Sequence, residues 1–177
     1  MSLEVNSLRA LAHPLRLQIL SLLTGVAMSA TELAEELGTT QANASYHLRA
    51  LASAGFVVVD SEERIRGGVA KRYRHPSGAE VASRPAPDEE FLLYVQAVAS
   101  ELVRRAAYRD PEIADRSNTD AELWVAPDVW ADVVDHVEKA SLLLHRSAQP
   151  PRTQGTVHVN MTASLFAMRE RSAGGDR

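Results

Sequence analysis

Two helix starts lie close together between residues 29 and 41, and their spacing leaves the chain little choice of local fold. Ser29-Ala30-Thr31-Glu32 has the pattern of a capping box, in which the Ser29 hydroxyl accepts from the backbone N–H of Glu32 and the Glu32 carboxylate reaches back. Leu33, Ala34 and Leu37 form an apolar stripe behind it, and Gly38 can end the helix in a left-handed cap after barely two turns. Only Thr39 separates that stop from Thr40, which can cap a further helix from Gln41 to about Ala54, closed at Gly55. Its buried stripe is expected to be Ala44, Leu48, Leu51 and Ala52, with Gln41, Ala42, Asn43, Tyr46, Arg49 and Ala50 on other faces.

A short helix, a three-residue turn and a polar-faced helix are the layout of a helix-turn-helix. Upstream, the apolar spacing of Leu8, Leu11 and Ala12 is interrupted at Pro14 and resumed by Leu15, Ile19, Leu20, Leu22 and Leu23, predicting two short helices that meet near His13-Pro14. Downstream, Phe56 to Val59 is strand-like, charged residues follow to Gly67-Gly68, and Val69 to His75 carries Arg72 and Arg74 in alternation, so a hairpin with a basic tip is predicted. The expected fold class is therefore α+β: a winged helix-turn-helix over residues 1–84, then a smaller helix-strand-helix-strand module over residues 85–177. Pro76, Pro85 and Pro87 bracket a linker at the border.

In the second half, Phe91, Leu92, Val95, Val98, Ala99, Leu102 and Ala106 recur every three or four residues, predicting a helix over 88–109. Glu122 to Val125 is expected as a strand, and Pro127 opens a helix to about Arg146. From Thr156 to Phe166, Val157, Val159, Met161, Ala163 and Leu165 alternate with His158, Asn160, Thr162 and Ser164, the period of a strand with one wet face.

The net charge of -4 is unevenly spread. Residues 1–84 hold nine Lys/Arg against eight Asp/Glu, whereas residues 85–177 hold ten against fifteen. Between 37 and 75, six basic side chains face three acidic ones, so a local basic surface fits a nucleic-acid partner even though the whole chain is acidic. With no cysteine, disulfides, thiolate metal sites and thiol redox control are excluded. No apolar run suits a membrane span and no signal-peptide pattern opens the chain, so a cytoplasmic location is expected.

Leu11-Ala12-His13-Pro14-Leu15-Arg16-Leu17-Gln18-Ile19-Leu20 and Gln41-Ala42-Asn43-Ala44-Ser45-Tyr46-His47-Leu48-Arg49-Ala50-Leu51 together resemble winged-helix repressors of the arsenical-resistance-regulator (ArsR) type. Gly55 and the segment Gly68-Val69-Ala70-Lys71-Arg72-Tyr73 continue the likeness, which covers about residues 5–76. The resemblance implies a dimeric repressor that leaves its operator when a signal arrives. It does not carry over the metal sites of the metal-sensing members, because this chain has no cysteine and residues 88–109 hold no histidine.

With the helix 41–54 in the major groove, Gln41 or Asn43 can pair bidentately with adenine, each such pair discriminating by about 1–3 kcal/mol. Thr40, Ser45, Tyr46 and Arg49 suit phosphate contacts; Ala42 and His47 share the helix, and His47 has a half-buried structural role as its competing use. Arg64, Arg66, Lys71 and Arg72 on the wing could meet the backbone or the minor groove. One copy offers few phosphate contacts, so a homodimer on a palindromic double-stranded operator is expected, with Phe91, Leu92, Val95, Val98, Ala99, Leu102 and Ala106 at the interface.

No cofactor or metal is expected: His136 and His145 are nine residues apart on one helix, about 13.5 Å of rise, too far to share an ion unaided. Nor does a nucleophile elbow, phosphate loop or HExxH pattern suggest an enzyme. The second half could serve a small-molecule effector, with Trp124, Trp130, Phe91 and Tyr94 as pocket walls, although such aromatics more often form core. Two other uses stay open: a winged helix acting as a protein-interaction module without operator binding, and an enzyme tethered to DNA.

Overall fold

A computed structural model describes residues 8–65, 68–76, 87–113 and 117–169. After a 3-10 turn at Leu8–Ala10 come α1 (Pro14–Gly25), β1 (Met28–Ser29), α2 (Ala30–Leu37), α3 (Gln41–Ser53), β2 (Val58–Ile65), β3 (Gly68–Arg74), α4 (Asp88–Ala106) and α5 (Pro127–Ser147). The first six form a winged helix-turn-helix. Its sheet runs β1-β3-β2, all antiparallel, and a register shift between Val59 and Ser61 lets β2 bend away at its start. The wing tip residue Arg66 and the linker 77–86 fall outside the described residues.

The local signals act as the sequence predicts. Ser29 Oγ accepts from Glu32 N while Ser29 N donates to Glu32 Oε2 at 2.7 Å, completing the capping box of α2. Gly38 sits at φ 61°, and its left-handed turn lets the chain reverse into Thr40, whose hydroxyl accepts from Asn43 N. Helix α1 starts on a cap the sequence reading did not include: His13 Nδ1 accepts from Leu15 N at 3.2 Å, with Pro14 in the first turn where no N–H is missed.

One core cluster is built from Leu11, Ile19, Leu20 and Leu23 of the first helices, Leu33 and Ala34 of α2, Ala44, Leu48 and Leu51 of α3, and Phe56 and Val57. Phe56 and Val57 precede β2 instead of opening it, because both side chains are needed inside the core. Ala52, expected on the buried stripe, is exposed, and Ala54 takes its place under Leu51.

The helix α4 packs on α1 and on the 3-10 turn. Its anchor is Glu101, which is only 2% exposed. That carboxylate accepts from Gln18 Nε2 of α1 at 2.6 Å and from Arg104 Nε at 3.0 Å, and pairs with Arg105. A buried carboxylate is tolerable only when so satisfied. Asp88, Glu89 and Glu90 in the first turn and Arg104 and Arg105 in the last match the dipole of α4.

Two expected strands do not form. Residues 122–125 and 157–166 carry no backbone ladder among the described residues. Alternation favours an extended chain, but a strand exists only through a partner that takes its N–H and C=O groups. Both segments run along the outside, with Trp124 86% exposed. The chain after α5 nevertheless returns to the N-terminal half: Arg152 pairs with Glu36 of α2, and Gly25 lies so close to Gln149 that a Cβ there would sit 2.7 Å from its carbonyl oxygen.

Candidate nucleic-acid interface

Helix α3 divides cleanly between inside and outside. Ala44, His47, Leu48 and Leu51 are buried; Gln41, Ala42, Asn43, Tyr46 and Arg49 are exposed, and Ser45 is half-buried. At about 100° per residue, Ala42, Tyr46 and Arg49 lie opposite the buried stripe and form the centre of the free face. Gln41 and Asn43 are about 160° apart and flank it in the first turn. The Asn43 amide also donates to Thr39 Oγ1 at 2.9 Å, so a base contact requires that bond to open. Thr40 is exposed at the helix start with its hydroxyl engaged as the cap.

His47 is corrected from the set expected to face DNA. It is 5% exposed, with its ring 4.5 Å from the His13 ring at a 44° tilt and edge-on to Tyr46 at 5.1 Å. Its position between Ala44 and Leu51 puts it on the inward face, where His13 at the start of α1 covers it. Its Nδ1 is buried without a hydrogen-bond partner among the described residues. Burial pulls the pKa of His47 below the ordinary histidine value, and the neighbouring His13 and Arg16 pull it further. His13 is lowered likewise, by burial first and then by Arg16.

Arg72 is half-buried and engaged by its own chain. It points into the body: Nη1 meets Glu32 Oε1 at 2.9 Å and Nη2 donates to the Ala27 carbonyl at 2.6 Å. It thus pins β3 to the capping box of α2. Burial raises the pKa of Glu32, but the Ser29 N–H, the Ser29 hydroxyl and Arg72 outweigh it and hold the carboxyl below its usual value. Lys71 is exposed but spans the hairpin to Glu62 at 3.3 Å, and Arg74 meets Asp60 at 2.8 Å. Arg49 and Arg64 are exposed and make no ion pair among the described residues. Within α3 and the described part of the wing, they are the cations available to a phosphate without breaking an ion pair.

The seven residues of α4 expected at a dimer interface divide too. Leu92, Ala99, Leu102 and Ala106 are exposed and Val95 is half-buried, a row spaced 3-4-3-4 away from α1. Phe91 instead meets Phe166, ring centroids 5.4 Å apart, and Val98 lies on that flank. The aromatics suggested as pocket walls do not converge, since Tyr94 packs against the N-terminal core and Trp124 is exposed. Among the described residues no group of three or more His, Asp or Glu could hold a metal ion, and no helix is long and apolar enough to cross a membrane.

Residues 11–60 match a family model described as a helix-turn-helix domain. A crystal structure of a possible transcriptional regulatory protein (fragment 1-100) from Mycobacterium bovis is 29% identical, covering 57% of this chain and 86% of that one, with a TM-score of 0.32. Among curated proteins nothing matches. The matched 11–60 segment holds α1, the capped turn between α2 and α3, and the free face of α3.

Proposed function

We propose that the chain is a sequence-specific DNA-binding transcriptional regulator of the arsenical-resistance-regulator type, a cytoplasmic dimeric repressor released by a signal that does not use thiols. The observation that carries this reading is helix α3, with one face fully packed and the other uncovered. That free face holds Ala42, Tyr46 and Arg49 between the amides of Gln41 and Asn43. A helix so held can enter a major groove by its first turns without disturbing the core, with the side-chain amides reading base edges. Ser45, Tyr46, Arg49 and Arg64 then contact phosphates, with Lys71 joining once it releases Glu62. Arg66 belongs with the wing set from the sequence alone.

A homodimer follows from arithmetic on contacts, because one recognition helix and one wing neutralise few phosphates. The row Leu92, Val95, Ala99, Leu102 and Ala106 has the spacing of a two-helix seam, and α4 of a second copy fills it. Two reading heads then meet half-sites roughly 34 Å apart on a palindromic operator.

Selection from random DNA duplexes across a salt series tests the reading. The expected result is a palindromic consensus that relaxes when Gln41→Ala and Asn43→Ala are combined. Arg49→Ala should weaken binding evenly across sequences and reduce the salt slope by about 1. No enrichment at any salt would reassign the winged helix to protein–protein recognition.

A further inference from the structure

Arg16 is the only charged residue in α1, and no carboxylate meets it among the described residues. Its side chain is half-buried. Nη2 donates to the Arg9 carbonyl at 3.2 Å, Nε is buried without a hydrogen-bond partner among the described residues, and Nη1 is neither bonded nor buried. Burial draws the pKa of Arg16 below the ordinary arginine value; Tyr46 acts in the other direction, and no carboxylate helps it. An arginine stays protonated even so. A half-buried cation that its own fold leaves without an anion is a cost, which an anion from outside would offset.

Its neighbours fix where it stands. The charge of Arg16 is close enough to be felt at both Tyr46 and His47 of α3. Tyr46 is 61% exposed on the free face, His47 is buried, and their rings meet edge-on. At about 100° per residue, the flank of α3 between those two holds Asn43 and Ala50. Arg16 therefore stands beside α3 on its Asn43 side, at the edge of the reading face.

A helix with its side chains is about 10–12 Å across and the major groove about 12 Å wide, so a helix seated there has a sugar-phosphate backbone on each side. Ser45 and Arg49 lie toward the Gln41 side of the free face and suit one of those strands. The Asn43 side of α3 carries no Lys or Arg of its own. Helix α1 supplies one from outside α3, with Nη1 free to donate to a phosphate oxygen. Because Nη2 is bonded and Nε is packed, the guanidinium is held before DNA arrives, and little side-chain freedom is lost on contact.

We infer that Arg16 contacts a backbone phosphate across the groove from the strand that Arg49 meets, so that α1 and α3 together hold both strands. This rests on the DNA-binding reading of the proposed function and not on the dimer. The test uses the full chain and the duplex enriched by selection, with single phosphates replaced in turn by uncharged methylphosphonates. For the wild type, replacement at one phosphate of each half-site, on the strand that Arg49 does not meet, should weaken binding at least fivefold. In Arg16→Gln the same replacement should cost less than about twofold, while the phosphates that Arg49 meets keep their effect. Arg16→Gln should also reduce the salt slope by about 1 per half-site and leave the selected consensus unchanged. Having lost a half-buried charge without an anion, it should unfold in urea at a midpoint no lower than the wild type. Arg16→Lys, which keeps the charge, should recover most of the affinity. A phosphate profile unchanged in Arg16→Gln, or a lowered midpoint, makes Arg16 a residue of the fold; it overturns the contact and leaves α3 as the reader. A wild-type chain that enriches no duplex at any salt overturns the contact and the DNA reading together.

Discussion

Leu48 and Leu143 are the same residue in the interior of two helices, yet Leu48, in the shorter one, is 1% exposed and Leu143, in the longer, is 68% exposed. The contrast holds for the halves they belong to. Residues 8–76 hold nearly the whole buried core; beyond residue 87 only Ala97 and Glu101 are buried among the described residues, and α5 has no buried residue. A helix of 21 residues with Val129, Val133, Leu142, Leu143 and Leu144 exposed is not stabilised by its own chain to the degree that α1 to α3 are. The lesson is that the first half encloses most of its apolar side chains in one core, while the second leaves many of its own exposed in a single copy of the chain.

The sharpest way to break the comparison is to truncate both leucines. Leu48→Ala should cost about 2–5 kcal/mol in urea unfolding. Leu143→Ala, measured at a concentration where the chain is monomeric, should stay within about 0.5 kcal/mol. Equal losses would mean that the second half has a core of its own.

Next in size is the joint between the halves. Glu101→Gln keeps a partner for Gln18 but removes the charge that Arg104 and Arg105 share, and should cost about 1–3 kcal/mol. Hydrogen exchange should show the loss in the amides of α4 while those of α3 keep their protection. Loss spread evenly over both would show that the halves unfold together.

A smaller effect is expected from Ser29→Ala, which removes one arm of the capping box at about 1 kcal/mol. Because Glu32 also holds Arg72, the wing amides of β3 should exchange faster too.

The smallest is a pH effect. The folded pKa values of His13 and His47 lie below their unfolded ones, so their contribution is fully present above the unfolded histidine pKa, about 6.5. It is lost as the pH falls from there toward the folded values, since the unfolded chain takes up protons first. Urea unfolding at pH 7.5 and 5.5 should show the decline. His13→Asn, which keeps a side-chain cap for α1, should flatten it; an unchanged slope would locate the sensitivity elsewhere.

What was legible in the sequence were interactions closed within four residues. Ser29 with Glu32, Gly38, and Thr40 with Asn43 each declare a helix boundary locally, so α2, α3 and the turn between them could be read directly. The inward turn of His47 was half legible, from its place between Ala44 and Leu51, but its cover by His13 was not, and neither was the position of Arg72, because the partners, His13 and Glu32, lie more than thirty positions away. The His13 cap was hidden for a different reason, since histidine is seldom read as a helix start. The alternation in 157–165 was visible, but a strand depends on a pairing partner that no local pattern can provide.

Glu101 ties α4 to Gln18 of α1, and the ring of His13, at the head of α1, packs against that of His47 of α3. Two contacts therefore connect the proposed seam to the reading helix. In such a dimer the two heads behave as fixed callipers: each base pair added between half-sites lengthens the DNA by about 3.4 Å and turns one site by roughly 35° relative to the other. An operator of the wrong spacing would be rejected by geometry even when every base is correct.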